Sequence, residues 1–155
     1  MLPKDEKLSK WLSGVAGEYF VAAELSRRGY IAAVTMRNTR GLDLLVSRPG
    51  SKRALTLQVK TIQSGNSEWL LSKPDEESKG DAHFYAFVAL NRLGDPEYFL
   101  VSGKRVAKEC TDRHIAYITG TKKDGTPRKD TTMRTFCPRP QDKGAWESLA
   151  VAMKS

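Results

Sequence analysis

Residues that staple or ligate are scarce: two cysteines, Cys110 and Cys137, and two histidines, His83 and His114, in 155 residues. Two cysteines make no disulfide framework, so the expected setting is reduced and cytoplasmic. Cys110 and His114 sit one helical turn apart, but there is no CxxC, and His83 and Cys137 are distant singletons. That is a poor zinc pattern, and nothing orients a histidine for a Cys–His nucleophile. Long apolar runs are also missing. The best, FYAFVAL at 84–90, is far short of the roughly 18 residues a membrane span needs. The N-terminal MLPKDEKLSKW has no apolar h-region of a signal peptide. There is no internal repeat and no low-complexity linker, so a single domain over 1–155 is expected, with its core at about 8–120 and a basic loop and C-terminal helix at 121–155.

Negative charge is scarce too. Eighteen acids face 26 Lys and Arg, for a net charge of +8 and a pI near 9.6. The first partner to consider is a polyanion, nucleic acid being the commonest, beside the plainer account of solvating charge. No such surplus excludes a folded core, because 39% of the residues are hydrophobic.

Periodicity gives the elements. Residues 8–28 form a helix, with Leu8, Trp11, Leu12, Val15, Tyr19, Ala22, Ala23 and Leu25 on one broad face, Ser13, Gly17, Glu24, Arg27 and Arg28 opposite, and Gly29 as its stop. Strands are predicted at 30–36, 42–47 and 53–61, the last two joined by the turn Pro49-Gly50-Ser51. A further strand is placed at 67–72, a doubly buried one at 82–90, and another at 97–101. A helix at 101–118 with Ser102 as N-cap, a polar loop at 120–130 (GTKKDGTPRKD), a strand at 131–136 and a helix at 144–153 complete the chain. This is an α/β domain on a mixed central sheet flanked by helices.

Four polar residues fall where apolar ones belong. Glu18 lies at the angular position of Trp11, Val15, Ala22 and Leu25 on the first helix. Asp43 sits inside GLDLLVS, and Gln58 and Lys60 share the face of their strand opposite Leu55, Leu57, Val59 and Thr61. Across the hairpin Asp43 faces that pair, so Glu18, Asp43, Gln58 and Lys60 converge at the edge of the core. Carboxylate and amide oxygens suit a hard cation such as Mg²⁺ or Mn²⁺. A lysine beside it orients or deprotonates a water, or neutralises a phosphate. Taken singly, Glu18 is also a helix-face acid paired with an arginine, Asp43 a strand-edge acid and Lys60 a snorkelling strand end. Their joint placement favours the metal site.

This arrangement resembles the PD-(D/E)XK nuclease superfamily over residues 10–62: Glu18 on the first helix, Asp43 after Gly41-Leu42, then Gln58-Val59-Lys60 on the next strand. Gly17-Glu18 leading to Arg28-Gly29-Tyr30 is similar to the archaeal Holliday-junction-resolvase-like branch, and Leu57-Gln58-Val59-Lys60-Thr61 resembles the QxK variant of bacterial and phage members and some intron-encoded endonucleases. The resemblance implies a restriction-endonuclease-like fold and a Mg²⁺- or Mn²⁺-dependent endonuclease. Asp43 would be the central ligand, Gln58 would take the second acidic position, Glu18 would assist, and Lys60 would be the motif lysine. The proline before the motif aspartate is absent, and Gln58 brings an oxygen without charge. No sequence-reading module is evident, so junction- or flap-like DNA is the favoured substrate, with RNA the second candidate; one site cuts one strand, which a homodimer would double.

Residues 121–143 hold seven cations against three aspartates, half of the net charge. Lys122, Lys123, Arg128 and Lys129 there, with Arg37, Arg40 and Lys73, are candidate phosphate contacts, a solvated loop being the alternative; Trp69 is a lesser candidate, and Trp11 and Trp146 read as core. The alternative function is a catalytically degenerate nucleic-acid-binding module of the same fold, which Gln58 favours. A metal-independent RNA nuclease would have to use His83 or His114.

Overall fold

The computed structural model describes residues 7–36, 41–63 and 67–154. Ser9 caps the first helix, α1 (Lys10–Arg27), accepting a hydrogen bond from Leu12 N at 3.2 Å, and Gly29, at φ +82°, ends it. Strands β1 (Ile31–Val34), β2 (Leu44–Ser47) and β3 (Ala54–Ile62) follow as an antiparallel meander, with the tight turn at 48–51 joining the last two. A connection carrying β4 (Trp69–Ser72) and a 3-10 turn (Lys73–Glu76) leads to β5 (His83–Ala89), which pairs parallel with β3. β6 (Glu97–Ser102) returns antiparallel to β5, followed by α2 (Gly103–Ile118), β7 (Met133–Phe136) and α3 (Glu147–Ala152). The result is a five-stranded mixed sheet ordered β1-β2-β3-β5-β6 with three flanking helices, the class the pattern predicts, and, beyond that pattern, a separate two-stranded sheet of β4 and β7. No helix among the described residues is long and apolar enough to cross a membrane.

All seven residues of β5 are buried, so its alternate side chains feed two cores. Phe84, Ala86 and Val88 join Leu44, Val46, Leu55 and Leu57 under Val21 and Leu25 of α1, with Trp146 and Leu149 closing the cluster. Tyr85 and Phe87 face the other way, into a cluster with Trp69, Val101, Val106, Cys110 and Phe136. There Phe87 stacks on Phe136 at 4.9 Å between ring centroids.

The inward face of α1 departs from the expected one. Ser13, Gly17, Val21 and Leu25 are buried, whereas Trp11 and Tyr19 are 61% and 64% exposed. Close approach is the reason: a Cβ on Gly17 would overlap Thr61 Oγ1, so the first half of the helix meets the sheet through Ser13 and Gly17, and Trp11 and Tyr19 are left outside. Trp11 is therefore not core, while Trp146, 5% exposed, is. Trp69 is core as well, 2% exposed with its indole N–H donating to Val88 O, which removes it as a substrate contact. Ser102 precedes α2 but makes no side-chain capping bond.

Candidate active site

The site begins with how the sheet holds Asp43. Leu44 pairs with Leu57, so in this antiparallel register Asp43 stands opposite Gln58 and shares its face. Asp43 N donates to Leu57 O at 2.9 Å, while Asp43 O accepts from Thr35 N at 2.9 Å, fixing the peptide from both sides. The carboxylate then takes over from the ladder: Oδ2 accepts from Val59 N at 2.6 Å. Burial is the largest influence on this acid and raises its pKa; the Val59 N–H and the charges of Lys60 and Lys79 offset part of that.

Lys60 lies one pleat beyond Gln58 on the same face, its Nζ 3.8 Å from Asp75 Oδ2. Asp75 is 3% exposed and comes from the 3-10 turn in the β3–β5 connection. It accepts from the Tyr85 hydroxyl at 2.7 Å, from Ser72 N at 2.8 Å and from Ser72 Oγ at 3.0 Å. Burial opposes its charge, but Lys60, Tyr85 and Ser72 together outweigh that and hold its pKa below the usual carboxylate range. Burial and the bond to Asp75 push the Tyr85 phenol upward, so it stays a donor.

The same connection delivers a second lysine. Lys79 Nζ donates to Gln58 Oε1 at 3.3 Å and to Gly41 O at 3.4 Å. Gly41, at φ +71°, is required there twice over, since a Cβ would also collide with that ammonium. His83 completes the face: its Nδ1 lies 2.8 Å from Thr56 Oγ1, and burial with the nearby Lys79 lowers its pKa to about 4, so it is neutral at pH 7.

Asp43, Gln58 and Lys60 are thus brought to one face, with Asp75, Lys79 and Tyr85 as members that sequence reasoning missed. Asp75 was nonetheless signalled. Ser72-Lys73-Pro74-Asp75 is a capping box with proline at its start, and the turn it forms aims the acid at Lys60. Glu18 is half-buried on α1, beside the Gly17–Thr61 contact, on the side of β3 opposite Gln58 and Lys60. Among the described residues no three His, Cys, Asp or Glu side chains converge on a point that could hold a metal. Asp43 and Gln58 remain as one carboxylate and one amide oxygen, a donor set that fits Mg²⁺, which keeps most of its water and needs one or two protein oxygens.

Of the basic candidates, Arg37 and Arg40 lie outside the described residues. Lys73 is exposed at the start of the 3-10 turn, and its N–H donates to Thr132 O at 3.0 Å, which extends the β4–β7 pairing by one step. Lys122, Lys123 and Lys129 are exposed on that loop, while Arg128 is packed over the Tyr117 ring at 4.7 Å. Arg134 is buried and paired with Glu76, which makes it part of the fold, while Arg139 and Lys143 are paired with Glu109 and Glu97 at the surface. His114 pairs with Asp130 at 2.8 Å and Cys110 donates to Thr135 O. No family model matches the chain, and no curated protein is significantly similar to it.

Proposed function

We propose that the protein is a cytoplasmic, Mg²⁺- or Mn²⁺-dependent DNA endonuclease of the PD-(D/E)XK type, acting on junction- or flap-like DNA. The observation that carries this reading is the placement of Asp43 opposite Gln58, with Lys60 one pleat on, on the sheet face away from α1 that also carries the aromatic cluster of Tyr85 and Phe87. Polar groups are costly there, and their spacing suits an ion and a phosphate held side by side.

Asp43 and Gln58 would hold the ion, without Glu18, which α1 carries on the other side of β3. When bound, the ion polarises a phosphoryl oxygen and lowers the pKa of the attacking water. The charge of Lys60 acts on both Asp43 and Asp75, and its ammonium would position that water; Asp75, fixed by Tyr85 and Ser72, would keep Lys60 in place. Lys73 and the 120–130 loop take the flanking phosphates.

The test is cleavage of labelled linear, flapped and four-way-junction DNA in Mg²⁺, Mn²⁺ or chelator, with Asp43→Ala and Lys60→Ala alongside. Metal-dependent cutting, lowered at least about 100-fold by either substitution, is expected. The second reading, a binding module of the same fold without chemistry, is favoured by one contact: Gln58 Oε1 faces an ammonium, Lys79. DNA held equally well in chelator, with no cutting in either metal, selects that reading.

A further inference from the structure

Two cations and one amide meet in the candidate site in a way the nuclease motif does not account for. Among the described residues Lys79 does not pair with an acid. Its Nζ approaches two neutral oxygens, Gln58 Oε1 at 3.3 Å and Gly41 O at 3.4 Å, and its charge acts on Asp43. These oxygens surround the same corner of the sheet that a divalent ion would take with Asp43 and Gln58. Both contacts are long for charge-assisted hydrogen bonds, which run about 2.7–2.9 Å, and Lys79 itself is solvent-exposed. The ammonium is therefore held, but weakly.

Resting on the nuclease reading above, we propose that Lys79 is a removable cationic latch: its ammonium occupies the Gln58 and Gly41 oxygens until a divalent ion displaces it. This accounts for the amide at position 58. A glutamate facing Lys79 would form an ion pair, which makes the ammonium harder to displace from the ligand oxygens. A glutamine offers the same oxygen without the charge, so the lysine can leave. The segment carrying it is suited to movement: Lys79 precedes Gly80, at φ +91°, in a stretch without regular structure between the 3-10 turn and β5. Once displaced, the ammonium stays tethered at the rim, where it meets substrate phosphate.

The experiment is Mn²⁺ binding to the full chain without DNA, read from the electron paramagnetic resonance of free Mn²⁺. It compares wild type, Asp43→Ala, Lys79→Met, Lys79→Ala, Gln58→Glu and the Gln58→Glu/Lys79→Met pair. Either Lys79 substitution is expected to tighten binding about tenfold, the factor for a site latched in roughly nine molecules of ten. Gln58→Glu is expected to gain far less alone than in the Lys79→Met background, because the latch captures the new charge. If Mn²⁺ binds wild type in an Asp43-dependent way and neither Lys79 variant tightens it, the latch is refuted while the metal site stands. Additive gains from the two substitutions overturn the matching of Gln58 to Lys79. If no variant binds Mn²⁺, the nuclease reading and the latch fall together.

Discussion

The two faces of β3 and β5 are built from alternate residues of the same strands, yet they follow opposite rules. Toward α1 the strands present Leu55, Leu57, Phe84, Ala86 and Val88, and the helix answers with Gly17, Val21 and Leu25. The buried residues of that face are apolar or small, with Glu18 half-buried at its margin, and its fit is tight enough to exclude a methyl group at Gly17. Away from α1 they present Thr56, Gln58, Lys60, His83 and Tyr85, among which Lys60 and Gln58 are completed by Asp75 and Lys79 from one connection. The first face needs only volume. The second needs specific partners, and the chain supplies them from the crossover that any parallel strand pair requires.

The largest effect that would sharpen this contrast is a core truncation. Leu57→Ala is expected to cost about 2–5 kcal/mol in urea unfolding, because Leu57 is fully buried under α1. Its neighbour Gln58→Ala, half-buried on the other face, should cost less than about 1 kcal/mol while weakening metal binding. Similar stability losses at the two positions would mean that the faces are not specialised as described.

That contrast also explains what was legible in the sequence. Strands and helices follow from local pattern, and every predicted element has its counterpart within a few residues. Asp43, Gln58 and Lys60 stood out because period-2 alternation alone puts them together. The inward face of α1 did not, because periodicity of large apolar residues is a guide to burial only when the helix stands off from its partner. Here the backbone comes close, and Ser13 and Gly17 are buried where Trp11 and Tyr19 are not. Asp75 and Lys79 were hidden for another reason. Both reach the site from the β3–β5 connection, 15 and 21 residues beyond their partners Lys60 and Gln58, and no strand register joins them to those partners.

A smaller effect isolates the connection. Tyr85→Phe keeps the ring in the aromatic cluster, stacked on Phe87 at 5.7 Å, but removes a donor from buried Asp75. A stability loss of about 1–3 kcal/mol is expected, with a fall in cleavage, because Asp75 then fixes Lys60 less firmly. A change in stability with cleavage untouched would show that the Asp75 network props up the fold without positioning Lys60.

The finest break in the comparison lies within the polar face itself, where two carboxylates have opposite pH signatures. Asp75 has a folded pKa below the carboxylate reference of 3.8, so the folded state binds its proton less readily than the unfolded state. Its contribution to stability is present above that reference and is lost as pH falls through the folded value. Asp43 has a raised folded pKa, so its contribution runs the other way: stability is lost as pH rises from 3.8 through the folded value. Urea unfolding from about pH 3 to pH 8 should therefore find Asp75→Asn less stable than wild type at neutral pH, and Asp43→Asn more stable. Both differences should shrink toward the acid end, where the wild-type carboxyls carry protons. A gain in stability at Asp43 bought with lost cleavage is what a site retained for chemistry predicts, since such sites hold charges that the fold alone would discard. Destabilisation by both substitutions at neutral pH would instead make Asp43 a structural cap on Val59.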